Sequence, residues 1–138
     1  MSVVISTFLR RALVVDAVAT AATALLSIVA AGNLSRMFSV PETLLRGSGL
    51  ALVPFVAFVL WLATRERASR TAVRAVIALN LAWVVASLWL VLGGPIAPNA
   101  LGIGFIVAQA IAVAAFAELQ YVGLKRAAFA GSRTRGAA

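Results

Sequence analysis

The stretch Ala12–Ala31, ALVVDAVATAATALLSIVAA, decides the fold. It runs for twenty residues with a single charge, Asp16, and is otherwise aliphatic, small or hydroxylic. As a helix rising about 1.5 Å per residue it covers about 30 Å, the thickness of a bilayer's hydrocarbon. Three further apolar runs follow it, Gly47–Thr64, Ala75–Gly94 and Ala97–Leu124. Lipid offers no partners to backbone amides, so segments of this kind satisfy them internally, as helices. The sequence therefore predicts an all-α integral membrane protein, an up-down bundle of four transmembrane helices. The helices fall at approximately 12–31, 40–64, 75–94 and 97–124, in one domain over 1–126. The basic segment 127–138 is expected to be a disordered cytoplasmic tail.

Composition agrees with a lipid-solvated chain. Apolar residues make up 63% and charged residues 12%, with mean hydropathy +1.05, whereas soluble domains run nearer half and a quarter. A chain of 138 residues has too little interior to hide that surplus. Arg10-Arg11 ahead of the first run, and Ala30-Ala31-Gly32 after it, also fit a cleaved signal peptide. The length of the run and Asp16 within it favour a retained span.

The connections carry local signals. Gly32 is placed to end the first helix, and Leu34–Phe38 is short and partly apolar, as an interfacial segment would be. Ser39-Val40-Pro41-Glu42 has the spacing of a capping box, which starts the second helix near Val40. Pro54 falls mid-helix and removes one backbone hydrogen bond. Gly93-Gly94-Pro95 stops the third helix and Pro98-Asn99 opens the fourth.

Charge gives the orientation. Arg10 and Arg11 precede the first span, four arginines (Arg65, Arg67, Arg70, Arg74) separate the second from the third, and Lys125, Arg126, Arg133 and Arg135 follow the fourth. The opposite side carries only Arg36 and Arg46. The positive-inside rule puts the larger group, and with it both termini, in the cytoplasm of a multi-pass inner-membrane protein. The net charge of +8 is accounted for by these flanks, so no nucleic-acid partner is expected. Trp61 and Tyr121 sit near the cytoplasmic ends of their helices, as interfacial aromatics do, and Trp89 lies towards the other side.

Cysteine and histidine are absent. Disulfides, Cys/His zinc sites, His-ligated haem and His-dependent nucleophilic triads are thereby excluded, and neither cofactor nor metal is expected. Only four acidic residues remain, Asp16, Glu42, Glu66 and Glu118.

An ionisable residue within a span is a functional hypothesis by default. Asp16, Asn80 and Glu118 each lie five to seven residues inside a basic flank, so they share a depth, and Asp16, Thr20, Asn80 and Glu118 form a candidate intramembrane polar cluster. Asp16, Thr20, Thr23 and Ser27 follow i, i+4, i+7, i+11 spacing and line one face. Ala17, Ala21 and Ala24 beside them allow close helix approach. Asn80 and Ser87 share a face of the third span. Gln109 and Glu118 are nine apart, on opposite sides of an ideal helix, so both cannot face one centre and Gln109 is expected against a second neighbouring helix or a second subunit. The bland alternative is that the carboxylates snorkel, or pair with Arg10, Arg11, Arg74 or Lys125.

Four spans with an acidic residue in the first resemble the small multidrug resistance transporters. That resemblance implies for Asp16 the role of ionisable centre in a carrier. Those proteins carry Glu there and show weak charge bias, whereas this chain has Asp and a strong bias. The resemblance extends to helix count and one residue type. The stretches Leu79-Asn80-Leu81-Ala82-Trp83 and Glu118-Leu119-Gln120-Tyr121 are similar to many small bacterial membrane proteins and imply no activity.

Two functions follow as expectations. The first is a small non-enzymatic bacterial inner-membrane protein, an accessory or assembly subunit or interaction protein; a homodimer or a larger membrane complex in the lipid bilayer is the expected setting, the homodimer above all for a carrier. The second is a small proton- or cation-coupled transporter centred on Asp16. A lipid-acting enzyme would need a nucleophile or metal set that two dispersed carboxylates do not supply.

Overall fold

The computed structural model describes residues 1–137. The elements in order are β1 (Ser2–Val4), α1 (Thr7–Val29), α2 (Ala31–Phe38), α3 (Glu42–Ala63), β2 (Arg67–Ser69), α4 (Arg70–Leu92) and α5 (Ala100–Gly136). Four helices, α1, α3, α4 and α5, are long and apolar enough to cross a membrane, and are the candidate spans of a multi-pass membrane protein. Their outward faces are strongly apolar: Val29 is 76% and Leu92 83% exposed. Exposed apolar surface on this scale marks contact with something other than water.

Sequence reading missed a feature at one end. β1 pairs antiparallel with β2, in the register Ser2↔Ser69, Val3↔Ala68 and Val4↔Arg67. Each strand runs straight into a helix through a serine cap. Ser6 Oγ accepts from Leu9 N at 3.2 Å, and Ser69 Oγ accepts from Ala72 N at 2.9 Å, each satisfying a free helical amide. Thus α1 and α4 begin five residues before the apolar runs that announced them. Val3, Ile5, Leu9 and Ala68 join Leu13, Val59, Val73, Val76 and Leu124 in one buried core. Arg10 reaches across to the end of α3, donating to the carbonyls of Ala63 and, at 3.1 Å, Arg65. A cation there meets both the free carbonyls and the negative end of the helix dipole.

At the other end the connection between α1 and α3 is an eight-residue helix, α2. Helix α1 ends at Val29 with Ala30 as its cap, so Gly32 lies within α2 and does not close α1. The expected capping box is not formed. Ser39 adopts a left-handed conformation (φ 53°, ψ 42°) and terminates α2, and α3 begins at Glu42 after Pro41 without a side-chain cap. Phe38 stacks on Phe105 with ring centroids 4.8 Å apart. Its carbonyl accepts from Asn99 N at 3.1 Å, and this fastens α2 to the head of α5. Asn99 caps α5 by accepting from Gly102 N at 2.8 Å.

The segment 127–136, expected to be disordered, is the last part of α5; Ala138 lies outside the described residues. Nothing in the sequence breaks the helix there. Alanine is frequent and favours it, Ala127 packs on the ribbon-end core, and Arg133 and Arg135 occupy the last turn, where the dipole favours cations.

The long helices alternate in direction, and the order around the bundle is α3, α1, α5, α4. Helix α1 packs closely on α3 and on α5, and α5 on α4, while α3 and α4 scarcely touch. Gly49 permits the α1–α3 approach: a Cβ there would lie 2.9 Å from Ile28 Cγ1 and 3.0 Å from Ala24 O. Pro54 lies inside α3, on the helix flanking the resulting opening.

Candidate functional site

Asp16 is completely buried. Its Oδ1 accepts from Thr20 Oγ1, one turn on, at 3.0 Å. Its Oδ2 accepts from Asn80 Nδ2 of α4 at 2.8 Å and from Gln120 Nε2 of α5 at 2.6 Å. Asn80 Nδ2 also donates to Gln120 Oε1 at 3.1 Å, closing a ring. Each carboxyl oxygen thus has at least one hydrogen-bond partner inside the bundle. No cation takes part: among the described residues the one ion pair is Arg46–Glu42 at 2.8 Å on the surface of α3. Burial of such a group is costly without hydrogen bonds, and bonds to a charged acceptor contribute about 1.5–3 kcal/mol each. The neutral side chains of α1, α4 and α5 hold the carboxylate and are held by it.

Of the four residues read as a cluster, Asp16, Thr20 and Asn80 come together. Glu118 does not: it is exposed and makes no side-chain hydrogen bond, and its place is taken by Gln120. Depth alone suggested Glu118, but depth does not fix rotation about the helix axis. The missing signal was on α5 itself. Gln109 and Gln120 are eleven residues apart, just over three full turns, and share a face, whereas Glu118 points away from both. The bland alternative for Asp16 is also corrected. It neither snorkels nor pairs with Arg10, Arg11, Arg74 or Lys125, because Asn80 and Gln120 lie nearer on the facing helices.

A second polar network lies further along. Trp83 Nε1 donates to Gln109 Oε1 at 2.9 Å, Gln109 Nε2 to Ser87 Oγ at 2.9 Å, and Ser87 Oγ to Trp83 O at 2.8 Å. Gln109 thus meets α4, the helix that also brings Asn80 to Asp16, rather than a second neighbour or a second subunit, because it lies on the same face of α5 as Gln120. Asn80–Gln120 and Ser87–Gln109 are two polar rungs between antiparallel α4 and α5. On α1, Thr23 bonds back to Ala19 O at 3.0 Å and Ser27 is buried.

Between the rungs and the poorly joined α3 and α4 lies a cavity of about 490 Å³. Its walls are mostly apolar, with Phe55, Phe58 and Phe116 prominent, and Thr20, Asn80, Trp83 and Gln109 supply its polar points. Asp16 is not on its surface. Asn80 and Thr20 separate the carboxylate from the cavity. Among the described residues no three His, Cys, Asp or Glu side chains converge as a metal site would require.

Comparison with protein-family models, with curated proteins and with solved structures finds no match for this chain.

Proposed function

We propose that this chain is a small, non-enzymatic bacterial inner-membrane protein, with both termini in the cytoplasm, acting as an accessory or assembly subunit. The observation that carries the reading is the enclosure of Asp16. The one acidic residue buried in the bundle is bonded to Thr20, Asn80 and Gln120, so its polarity joins three helices rather than meeting a substrate. What remains for function is surface: apolar helix faces and the lateral opening between α3 and α4. These suit a hydrophobic partner in the bilayer, either a second copy or another membrane subunit. The gathering of ten basic residues on one side supports the orientation.

Purification of tagged protein in mild detergent tests the reading. A stoichiometric membrane partner, or a defined homodimer, is the expected result. A chain that runs alone as a monomer rejects it, and a C-terminal reporter found outside the cell reverses the orientation.

One observation favours the alternative, a proton- or cation-coupled carrier: Thr20 and Asn80 touch both Asp16 and the cavity. Proteoliposomes separate the two. Proton flux lost in Asp16→Asn but present in the parent supports the carrier. Absence of flux in both, with partner binding retained, supports the accessory role.

A further inference from the structure

A groove of about 500 Å³ runs along the outside of the bundle where the start of α4 lies against the last turns of α5. Arg70 and Arg74 of α4 and Lys125 of α5 form its mouth, and Ile77, Leu81 and Tyr121 continue it towards the middle of the span. On α4 the arginines and Leu81 lie at i, i+4 and i+11, one face of the helix; on α5 Tyr121 and Lys125 are one turn apart. Cations and apolar wall are thus arranged in sequence along a single channel.

The cations have no internal counterpart. Neither arginine nor Lys125 makes an ion pair, since the one pair among the described residues is Arg46–Glu42. Their neighbour Arg126 is occupied elsewhere, over the Phe8 ring at 5.0 Å. Arg70 Nε is buried and has no hydrogen-bond partner among the described residues. A guanidinium donor left in that condition is costly, and the groove leaves the three cations with no anion of the chain's own to face. From Arg74 to Leu81 is about 10 Å along the helix, so charge gives way to hydrocarbon over two turns, as it does in a phospholipid.

We propose that this groove binds an anionic glycerophospholipid, its phosphate held by Arg70, Arg74 and Lys125 and one acyl chain laid along Ile77, Leu81 and Tyr121. Guanidinium forks suit phosphate oxygens, and basic pockets between spans are the usual seats of anionic headgroups. A free phosphate shares the headgroup chemistry, but it would leave the apolar length of the groove unused. The proposal rests on the membrane reading above, and not on the accessory role or on which side the termini lie.

The test is the full chain in nanodiscs of equimolar phosphatidylglycerol and phosphatidylcholine, with retained lipid weighed by native mass spectrometry. The parent chain is expected to keep one phosphatidylglycerol in preference to phosphatidylcholine. Removing two cations in Arg70→Gln/Arg74→Gln is expected to lower that preference roughly thirtyfold, about fivefold per cation. Ala78→Trp, which fills the groove without changing charge, is expected to abolish retention even if the arginine variant does not fold. Arg133→Gln/Arg135→Gln, the same loss of charge beyond the groove, is expected to leave the preference nearly unchanged.

Equal loss in that control, retention in Ala78→Trp, or no preference in the parent overturns the site. Displacement of the lipid by excess inorganic phosphate shows that phosphate alone is read and overturns the lipid assignment. A chain that incorporates into nanodiscs yet shows no preference removes only this proposal, whereas one that fails to incorporate removes the membrane reading as well.

Discussion

Gln120 of α5 donates a 2.6 Å hydrogen bond to Asp16 of α1, across 104 positions of chain. With Asn80 in the same ring, it makes the carboxylate a clasp on three helices. Asp16→Leu leaves the buried Gln120 amide without an acceptor and Asn80 with Gln120 Oε1 alone, and is expected to destabilise the fold by about 1–3 kcal/mol. Asp16→Asn keeps one oxygen for Asn80 and Gln120, and Thr20 can turn to accept from the new amide. That variant is expected to lose only about 0.6 kcal/mol, the size of an ordinary interhelical hydrogen bond in a membrane protein. Denaturant titration in detergent micelles measures both. Equal losses would mean that charge, not acceptor geometry, holds the ring.

Glu118 makes no side-chain hydrogen bond and is exposed. Glu118→Gln is therefore expected to change stability by no more than about 0.5 kcal/mol, while Gln120→Leu, two residues on, costs as much as Asp16→Leu. The same titration read on the pair checks which face of α5 points inward.

Two glycines of α3 should respond oppositely to alanine. At Gly49 a Cβ meets Ile28, Ser27 and the Ala24 carbonyl within 3.0 Å, so Gly49→Ala forces α1 and α3 apart at a cost of about 1–3 kcal/mol. At Gly47 nothing lies within 4 Å, and Gly47→Ala is expected to stabilise the helix by about 0.5–1 kcal/mol. Melting temperatures in detergent should shift in opposite directions.

The ribbon can be trapped covalently. Val4 and Arg67 are Cα partners, flanked by the Ile5 N to Glu66 O bond of 2.8 Å. They therefore form a non-hydrogen-bonded pair with Cα atoms about 4.5 Å apart, within disulfide reach. The chain has no cysteine of its own, so Val4→Cys/Arg67→Cys should form one intramolecular disulfide on mild oxidation, visible after cleavage between α3 and α4 as fragments that separate only on reduction. Free thiols persisting under oxidant would show that the strands do not pair in this register.

Arg10 should stabilise the end of α3. Arg10→Met keeps the aliphatic stem but removes the donors to Ala63 and Arg65. An expected loss of about 1 kcal/mol would be accompanied by faster amide exchange in the last turn of α3, with exchange in the middle of that helix unchanged.

The number of helices long and apolar enough to span a membrane, and the distribution of charge, were determined by the sequence itself. Both are one-dimensional properties: a run of apolar residues must be long enough to cross hydrocarbon, and arginines must leave it. Rotation and neighbour choice were decided by the tertiary structure. Apolar residues surround these helices, so hydrophobic periodicity does not mark which side packs inward; the few polar side chains do, as Asp16, Thr20 and Ser27 on α1 and the shared face of Gln109 and Gln120 on α5 show once the helices are seen packed. The β1–β2 ribbon and the cap that Arg10 places on α3 join residues more than fifty positions apart. Three-residue strands carry no signal of such pairing until the helices that bear them bring their ends together.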